Sequence, residues 1–256
     1  MNKLFLGSMA LAAVIAGPAI AADMPVKAPP PAPLLYDWSG AYVGFNIGGV
    51  WHEVERTYPN ILGVSFKSKD SDVIYGFHAG AQGQWGNWVL GFEAAYSACM
   101  RECQSAVTLI PLPAPLGPGL EAYNKITNLF TIGPRLGYAW DRWMIFGTGG
   151  YATGTVHGQY RLAGLQVFGP PGPNLSGHSW NDGWFAGGGF EYMVHKGALV
   201  DVVLGAEYQH FDLRSKNAFT NATFGGLFDF NHDAVGDIVR ARLTIKTQGY
   251  GWWGPM

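Results

Sequence analysis

The sequence predicts an all-β protein, an eight-stranded antiparallel transmembrane β-barrel of outer-membrane type. Three observations predict it. First, only 13% of the 256 residues are charged, while 14% are aromatic and 37 are glycine. Second, apolar and polar residues alternate along eight segments, a period that strands produce and helices do not. Third, connections of two or three residues alternate along the chain with much longer ones.

Composition and charge exclude several other classes of protein. Lys and Arg number 16 against 18 Asp and Glu, a net charge of −2, which leaves no basic surface for nucleic acid. A hydrophobic content of 48% excludes a disordered chain, and the glycines lack the three-residue period of collagen. Past the leader, no segment has the unbroken apolar run that a membrane-spanning helix needs.

The N-terminus has the three parts of a secretory signal peptide. Met1–Lys3 is positively charged, Leu4–Gly17 is apolar, and Ala19 and Ala21 supply the small residues of a cleavage site. The apolar run is too short to span a bilayer as a helix. We therefore expect a signal peptide over 1–21, cleaved after Ala21 or one residue later. Residues 22–37 are Pro-rich, which predicts a periplasmic linker of polyproline type.

The eight alternating segments define the strands of the barrel. In the first, Tyr42, Gly44 and Asn46 share one face and Val43, Phe45 and Ile47 share the other. The segments are 41–48, 73–84, 88–97, 126–140, 143–153, 184–194, 199–210 and 237–247. The fifth segment is apolar on both faces, so its register stays unassigned.

The two faces of these strands are inverted relative to a soluble protein. Small and charged residues share one face, and large apolar residues face a medium that must accept them without a second layer. Apolar-out and polar-in alternation is typical of a lipid-embedded barrel, and a closed barrel leaves no unpaired strand edge in lipid. A soluble β-sandwich is the alternative, and it requires a second sheet against the aromatic faces. We place the barrel at 38–247 and a C-terminal tail at 248–256.

Connection lengths predict the orientation of the barrel. The short turns lie at 86–87, 141–142 and 195–197, and the long connections at 51–72, 98–123, 154–183 and 211–236. Outer-membrane barrels have short periplasmic turns and long outer loops. Five tryptophans cluster at the short-turn end, where an aromatic girdle meets the lipid interface. They are Trp38, Trp85, Trp88, Trp140 and Trp143.

Seven charged residues fall on predicted inward faces, and together they form the candidate site. They are Glu93, Glu191, Glu207, Arg135, Arg240, Arg242 and Lys246. An eight-stranded barrel is just wide enough for side chains to fill, and isolated buried charges are costly. One interpretation is a paired polar plug that closes the lumen. The other is a narrow ion path lined by the same groups.

Other chemistry is sparse in this sequence. Cys99 and Cys103 are spaced as CxxxC, which fits neither the CxxC redox motif nor a zinc site, and export favours a disulfide between them. The sequence predicts no cofactor, no metal site and no enzymatic activity, because no Ser/His/acid grouping or phosphate-binding loop is legible.

Several segments resemble the RopB-type family of small alphaproteobacterial outer-membrane barrels, commonly labelled porin-family proteins. The resemblance lies in YDWSGAYVGFNIGG (36–49), in RLGYAWDRW (135–143) with TGG (148–150), in 183–192 and in Glu207-Tyr208. It covers strand positions from Trp38 to about Lys246, and the outer loops match nothing.

The resemblance implies an OmpA-like barrel that the barrel-assembly machinery inserts, with roles in envelope integrity and surface exposure. Some relatives are described as pores or as haem binders. The chain departs from the family at the end of the last strand, where Thr247 replaces an aromatic residue that the insertion machinery reads.

The predicted function is that of a structural outer-membrane protein without catalysis. The alternatives are a small diffusion pore and an outer-loop binding protein for haem or a host surface, in which His157, His178 or His232 takes part. The expected partners are outer-membrane lipid, lipopolysaccharide and the insertion machinery; no nucleic acid is expected, and the sequence names no loop partner.

Overall fold

The computed structural model of this protein describes residues 36–58, 64–101, 103–110, 119–163, 175–215 and 231–248. The predicted signal peptide (1–21), nearly all of the predicted linker and the tail beyond Gln248 lie outside these ranges. The described residues include no helix with the length and apolar character needed to cross a membrane.

The described chain is built of antiparallel strands. Their bounds are β1 Gly40–Tyr58, β2 Val64–Trp85, β3 Trp88–Cys99, β4 Gln104–Ile110, β5 Gly119–Trp140, β6 Trp143–Ala163, β7 Leu175–Lys196, β8 Val200–Ser215 and β9 Asn231–Thr247. Their order in the sheet is β3-β2-β1-β9-β8-β7-β6-β5-β4, and pairing of β3 with β5 closes the barrel.

The barrel wall has eight strand positions, because β3 and β4 follow one another along the same position beside β5. Residues 88–98 of β3 pair with 128–138 of β5, and β4 then pairs with residues 120–125 of the same strand. Turn residues 100, 101 and 103 lie between the two segments. The predicted eight-stranded antiparallel barrel is confirmed.

The side chains alternate between lumen and outer surface as the sequence indicated. On β9, Val239, Leu243 and Ile245 are 46–48% exposed on the outer surface, while Arg240 and Arg242 are buried inside. Strands alternate in this way because successive Cβ atoms point to opposite sides of the sheet. The unassigned fifth segment also has a clear register: Phe146 faces the lumen and its neighbours face outward.

Inward glycines make room for the large side chains that cross the lumen. A Cβ at Gly80 would lie 2.5 Å from the Tyr42 hydroxyl, and one at Gly205 would lie 2.7 Å from Cγ of Glu191. The inward faces therefore alternate between very small and very large residues because the barrel is narrow.

Two-residue turns join the strands at the predicted periplasmic end. Gly86 and Asp141 open the turns at 86–87 and 141–142 with φ values of 60° and 56°. Positive φ at the first central residue is typical of the hairpin turns that match the twist of the flanking strands.

The predicted long connections are wrong in extent, because much of each is strand. β1 and β2 remain paired from Trp51–Ser71 up to Tyr58–Val64, within the segment expected to be a loop. In the outer segments the outward face includes charged residues such as Glu53, Lys67 and Lys69, so the apolar-out pattern that marks the lower strands weakens there. Backbone pairing continues nonetheless, since it satisfies the main-chain polar groups whatever the side chains are.

Candidate functional site

The centre of the lumen is a two-point ion pair between β3 and β9. Nη2 of Arg242 lies 2.5 Å from Oε2 of Glu93, and Nη1 of Arg242 lies 2.8 Å from Oε1. The Tyr42 hydroxyl on β1 donates to Oε2 of Glu93 at 2.9 Å. A guanidinium and a carboxylate held at two points have fixed relative orientation as well as Coulomb attraction.

Two further carboxylates complete this layer. Arg135 on β5 lies 2.7 Å from Glu191 on β7 and 3.4 Å from Glu93. Glu207 on β8 is paired with Arg242 and also accepts from Nε of Arg240 at 3.1 Å. Each acid therefore touches at least one arginine, and the arginines connect strands on opposite sides of the barrel. We refer to these six residues as the central charge layer: Glu93, Arg135, Glu191, Glu207, Arg240 and Arg242.

An aromatic ring lies against the cationic side of the layer. The Phe146 ring centroid is 3.8 Å from Cζ of Arg135 and 5.5 Å from Cζ of Arg242. A guanidinium over an aromatic face gains cation–π attraction, which increases when water is excluded. Phe146 belongs to the segment whose register the sequence left open, so sequence reasoning missed it.

Beneath this layer, towards the short turns, a second ion pair joins the last strand to the start of β8. Nζ of Lys246 lies 3.0 Å from Oδ2 of Asp201 and donates to the Ser39 carbonyl at 3.0 Å. Asp201 was not among the predicted inward charges. It brings the buried charges of the described residues to four acids and four bases, so their formal charges sum to zero.

Trp38 corrects the predicted girdle, because it lies inside the barrel mouth and is 0% exposed. Its indole Nε1 donates to the Asp141 carbonyl at 3.4 Å, and its backbone N–H donates to Oε1 of Gln84 at 2.7 Å. Trp38 precedes β1, so strand alternation does not hold it on the outer surface. It packs in an apolar cluster that closes the periplasmic end, with Val89, Ala139, Met144, Met193 and Val203.

On the other side of the central charge layer, the lumen holds a large cluster of apolar side chains together with buried polar ones such as His52, Asn124 and Asn181. This apolar cluster includes Phe185 on β7, Phe211 and Leu213 on β8 and Ile238 on β9, each no more than 4% exposed. The full cluster is Val50, Val54, Ile74, Cys103, Ile126, Leu129, Ala152, Val156, Phe185, Phe211, Leu213, Ala234 and Ile238. The central charge layer thus lies between two clusters of buried apolar side chains.

The outer surface carries two aromatic rings rather than the single girdle that was predicted. Trp85, Trp88, Trp140 and Trp143 are 43–56% exposed at the short-turn end, as expected. Eight residues further along β3 and β6 lie Tyr96 and Tyr151, part of an upper ring. The described members of the upper ring are Trp51, Tyr75, Tyr96, Phe130, Tyr151, Trp184 and Tyr208.

The spacing of the two rings fits a membrane. Eight residues of tilted strand rise by roughly 20–25 Å, close to the apolar band of an outer-membrane barrel. The upper ring fits the outer lipid interface, and two of its members, Tyr96 and Tyr151, could have been found from their eight-residue distance to Trp88 and Trp143.

Cys99 and Cys103 are disulfide-bonded, with their Cα atoms 5.5 Å apart. Asp72 of β2 holds the intervening turn, since its Oδ2 accepts from the backbone N–H groups of Arg101 at 2.8 Å and Cys103 at 3.1 Å. The disulfide therefore lies between the end of β3 and the start of β4, which share the third strand position of the barrel. Asp72 approaches both sulfur atoms, but paired sulfurs are not the thiolates that a metal requires.

Replacing both cysteines with serine should destabilise the barrel by about 2 kcal/mol, from the loop entropy of a five-residue ring. Urea unfolding of the refolded protein in lipid vesicles measures the effect. Adding a thiol reductant should lower the stability of the native protein similarly and leave the double variant unchanged. Equal stability of native and serine proteins would contradict a stabilising bond.

The histidines proposed for haem are only partly described. His157 on β6 pairs across the ladder with His178 on β7. The side chains of His178 and His232 lie outside the described part of the structure, so no ligand geometry is defined for them.

Comparison with known proteins places the chain among outer-membrane barrels. Residues 9–231 match the family described as "Outer membrane protein beta-barrel domain". The chain is 30% identical over 241 residues to the 31 kDa outer-membrane immunogenic protein of Brucella melitensis biotype 1, covering 85% of this chain and 89% of that protein. The protein of the same name from Brucella suis biovar 1 matches equally.

Two solved structures show likeness at low sequence identity. The outer membrane protease OmpT from Escherichia coli aligns with a TM-score of 0.48 and 10% identity, covering 84% of this chain and 99% of that one. The outer membrane protein OprG from Pseudomonas aeruginosa aligns with a TM-score of 0.38 and 14% identity, covering 80% and 96%.

Proposed function

The chain belongs to the outer membrane protein beta-barrel family, and from that premise we propose that it is a sealed structural barrel of the outer membrane. It anchors an extended outer surface in the membrane and conducts no solutes. The proposal assigns no catalytic step to the barrel and no haem to its histidines.

The observation that carries this proposal is the position of the central charge layer. Glu93 and Arg242 are 7% and 2% exposed and are held together at two points. A conducting lumen requires charged groups that meet water, since a path must let ions both enter and leave. Here each acid is paired with at least one arginine, and a cluster of buried apolar side chains lies on either side of them.

Extension of the strands beyond the upper ring supports a role at the cell surface. β6 continues for twelve residues past Tyr151, which places its end roughly 30 Å beyond the ring. The word "immunogenic" in the name of the Brucella relatives agrees with a surface that host defences meet.

Conductance of the refolded protein in a planar bilayer tests the proposal. We expect no discrete current steps from preparations that show the heat-shifted gel mobility of a folded barrel. The variant Glu93→Gln should also stay silent, and it should unfold at a lower urea concentration, because Arg242 and Arg135 lose part of their partner charge.

The pore alternative predicts the reverse pattern. Reproducible steps from the native protein, with an ion selectivity altered by Glu93→Gln, would mean that these groups line a path. The variant Arg214→Ala is the control for general charge effects, since Arg214 is 75% exposed on the outer surface and pairs with Asp212.

A further inference from the structure

A group of metal-ligating side chains lies at the height of the upper ring, apart from the central charge layer. The ligand atoms of Asp72 on β2, Cys99 on β3 and Cys103 in the turn that follows all lie within 4.8 Å of one another. Zinc bonds of about 2.0–2.3 Å hold carboxylate and thiolate ligands at comparable separations. We call these three residues the Asp72 cluster.

Backbone hydrogen bonds fix the position of the Asp72 carboxylate. Its Oδ1 accepts from the N–H of Val73 at 2.7 Å, and its Oδ2 accepts from the N–H groups of Arg101 at 2.8 Å and Cys103 at 3.1 Å. A carboxylate has about four lone-pair sites, so these hydrogen bonds leave one free for a metal. Groups that hydrogen-bond to a ligand orient it and raise the affinity of a metal site.

A buried histidine lies beside the same cluster. His52 on β1 is one residue beyond Trp51 and 4% exposed, and neither of its ring nitrogens makes a hydrogen bond of normal geometry within the described part of the chain. Burial lowers the pKa of the His52 imidazole, while Asp70, Asp72 and the Cys103 carbonyl oppose this change, so these groups lie near the ring. A neutral imidazole is the form of histidine that binds metals.

The Asp72 cluster can be reached from outside the barrel. Cys103 is 2% exposed, whereas Asp72 and Cys99 are only partly buried. Asp72 also lines a cleft of 400 Å³ on the outer surface, together with Met100 and Arg101 of the adjoining turn. A small reductant and a metal ion therefore have an entry path to the cluster.

We propose that the Asp72 cluster becomes a zinc site when its disulfide is reduced. The four ligands are His52, Asp72, Cys99 and Cys103. Two molecules of a low-molecular-weight thiol supply two electrons and two protons; they are oxidised to their own disulfide, the Cys99–Cys103 bond breaks, and two cysteine thiols form. Zn²⁺ then replaces the two thiol protons, which pass to solvent, and two Zn–S bonds form. The sequence predicted no metal site because these ligands come from three strands and a turn.

Cobalt binding to the refolded mature chain in detergent micelles tests the proposal, because Co²⁺ occupies zinc sites and its bond to thiolate absorbs light. Protein reduced with a phosphine, which leaves no competing thiol in solution, should bind one Co²⁺ with this absorption, and Zn²⁺ should displace it. Oxidised protein and the variant Cys99→Ser/Cys103→Ser should not show the absorption, since the metal ligand is the thiolate. Heat-shifted gel mobility confirms that each sample is folded.

Two single variants test the ligands from the neighbouring strands. Asp72→Asn and His52→Gln should each weaken Co²⁺ binding by at least about tenfold, since losing even a group that only orients a ligand costs this much. The matched controls are Asp212→Asn and His210→Gln, which alter an acid and a histidine on the outer face of β8 and should leave binding unchanged.

Alkylation gives a second measurement that requires no variant. In the reduced native chain, Zn²⁺ should protect both cysteines from iodoacetamide, as counted by mass spectrometry. Folded, reduced protein that lacks the thiolate absorption with Co²⁺, or whose cysteines react equally with and without Zn²⁺, would overturn the proposal. Binding that is unchanged in Asp72→Asn and His52→Gln would refute the four-ligand site.

Discussion

Replacing Arg242 with methionine should destabilise the folded barrel by about 3–5 kcal/mol, the cost of breaking a buried ion pair on one side. Arg242 is the shared partner of three carboxylates, Glu93, Glu191 and Glu207. Without it, the central charge layer keeps three acids and two arginines, Arg135 and Arg240, all of them buried. Methionine fills similar space, so the loss reports charge rather than a cavity.

Urea unfolding in vesicles, followed by tryptophan fluorescence, measures this effect. The control Arg214→Ala removes an exposed arginine and should change stability by no more than about 0.5 kcal/mol. Adding Glu93→Gln to the methionine variant should recover part of the loss, because one unpaired charge is then removed. A methionine variant as stable as the native protein would show that the layer is hydrated.

The second large effect is expected at the periplasmic mouth. Trp38→Ala should cost about 3–5 kcal/mol, as for other fully buried tryptophans. Trp38 is 0% exposed and packs in a cluster with side chains from five strands, so its removal leaves a cavity at the periplasmic end of the lumen. The same unfolding assay measures the loss, and conductance of the variant tests whether the lower seal alone closes the lumen.

A matched change on the outer surface gives the comparison. Trp143→Ala removes a girdle tryptophan that is 43% exposed, and it should cost less than Trp38→Ala because no cavity forms inside the barrel. Equal losses for the two variants would contradict the assignment of Trp38 to the lumen.

The membrane-spanning part of the barrel could be predicted because one pattern determines it. Alternation at period two assigned Glu93, Arg135 and Arg242 to the lumen, and their neighbours to lipid, without any tertiary information. The family and the outer-membrane location were also predicted, from strand segments near residues 36–49 and 135–143, and both are confirmed. The partners of each inward charge could not be predicted, since they depend on the stagger between strands.

The residues that sequence reasoning missed lie where alternation is weak or ends. Asp201 stands at the start of β8 on the same face as Glu207, so alternation along 199–210 could have assigned it to the lumen. Trp38 stands before β1, where no strand pattern applies. Phe146 lies in a segment that is apolar on both faces. The Phe146 ring faces the guanidinium group of Arg135 in the lumen, and the residues next to it face lipid. The positions of Trp38 and Phe146 are decided by tertiary packing.

The outer surface of each long strand faces lipid in one half and water in the other. The placement of polar and apolar side chains, inward or outward, is reversed between the two halves. Along β8, Glu207 faces inward and Tyr208 outward within the membrane, whereas beyond it Leu213 faces inward and Arg214 outward. The part above the membrane therefore resembles a water-soluble β protein, with apolar residues inside and polar residues outside. It continues directly from a membrane-spanning part in which the charged residues lie inside and the apolar residues outside. Its exposed face can change charge without disturbing the lipid-facing half, whereas polar residues in its interior, such as His52, Asn124 and Asn181, are buried away from water and are costly unless they find partners there.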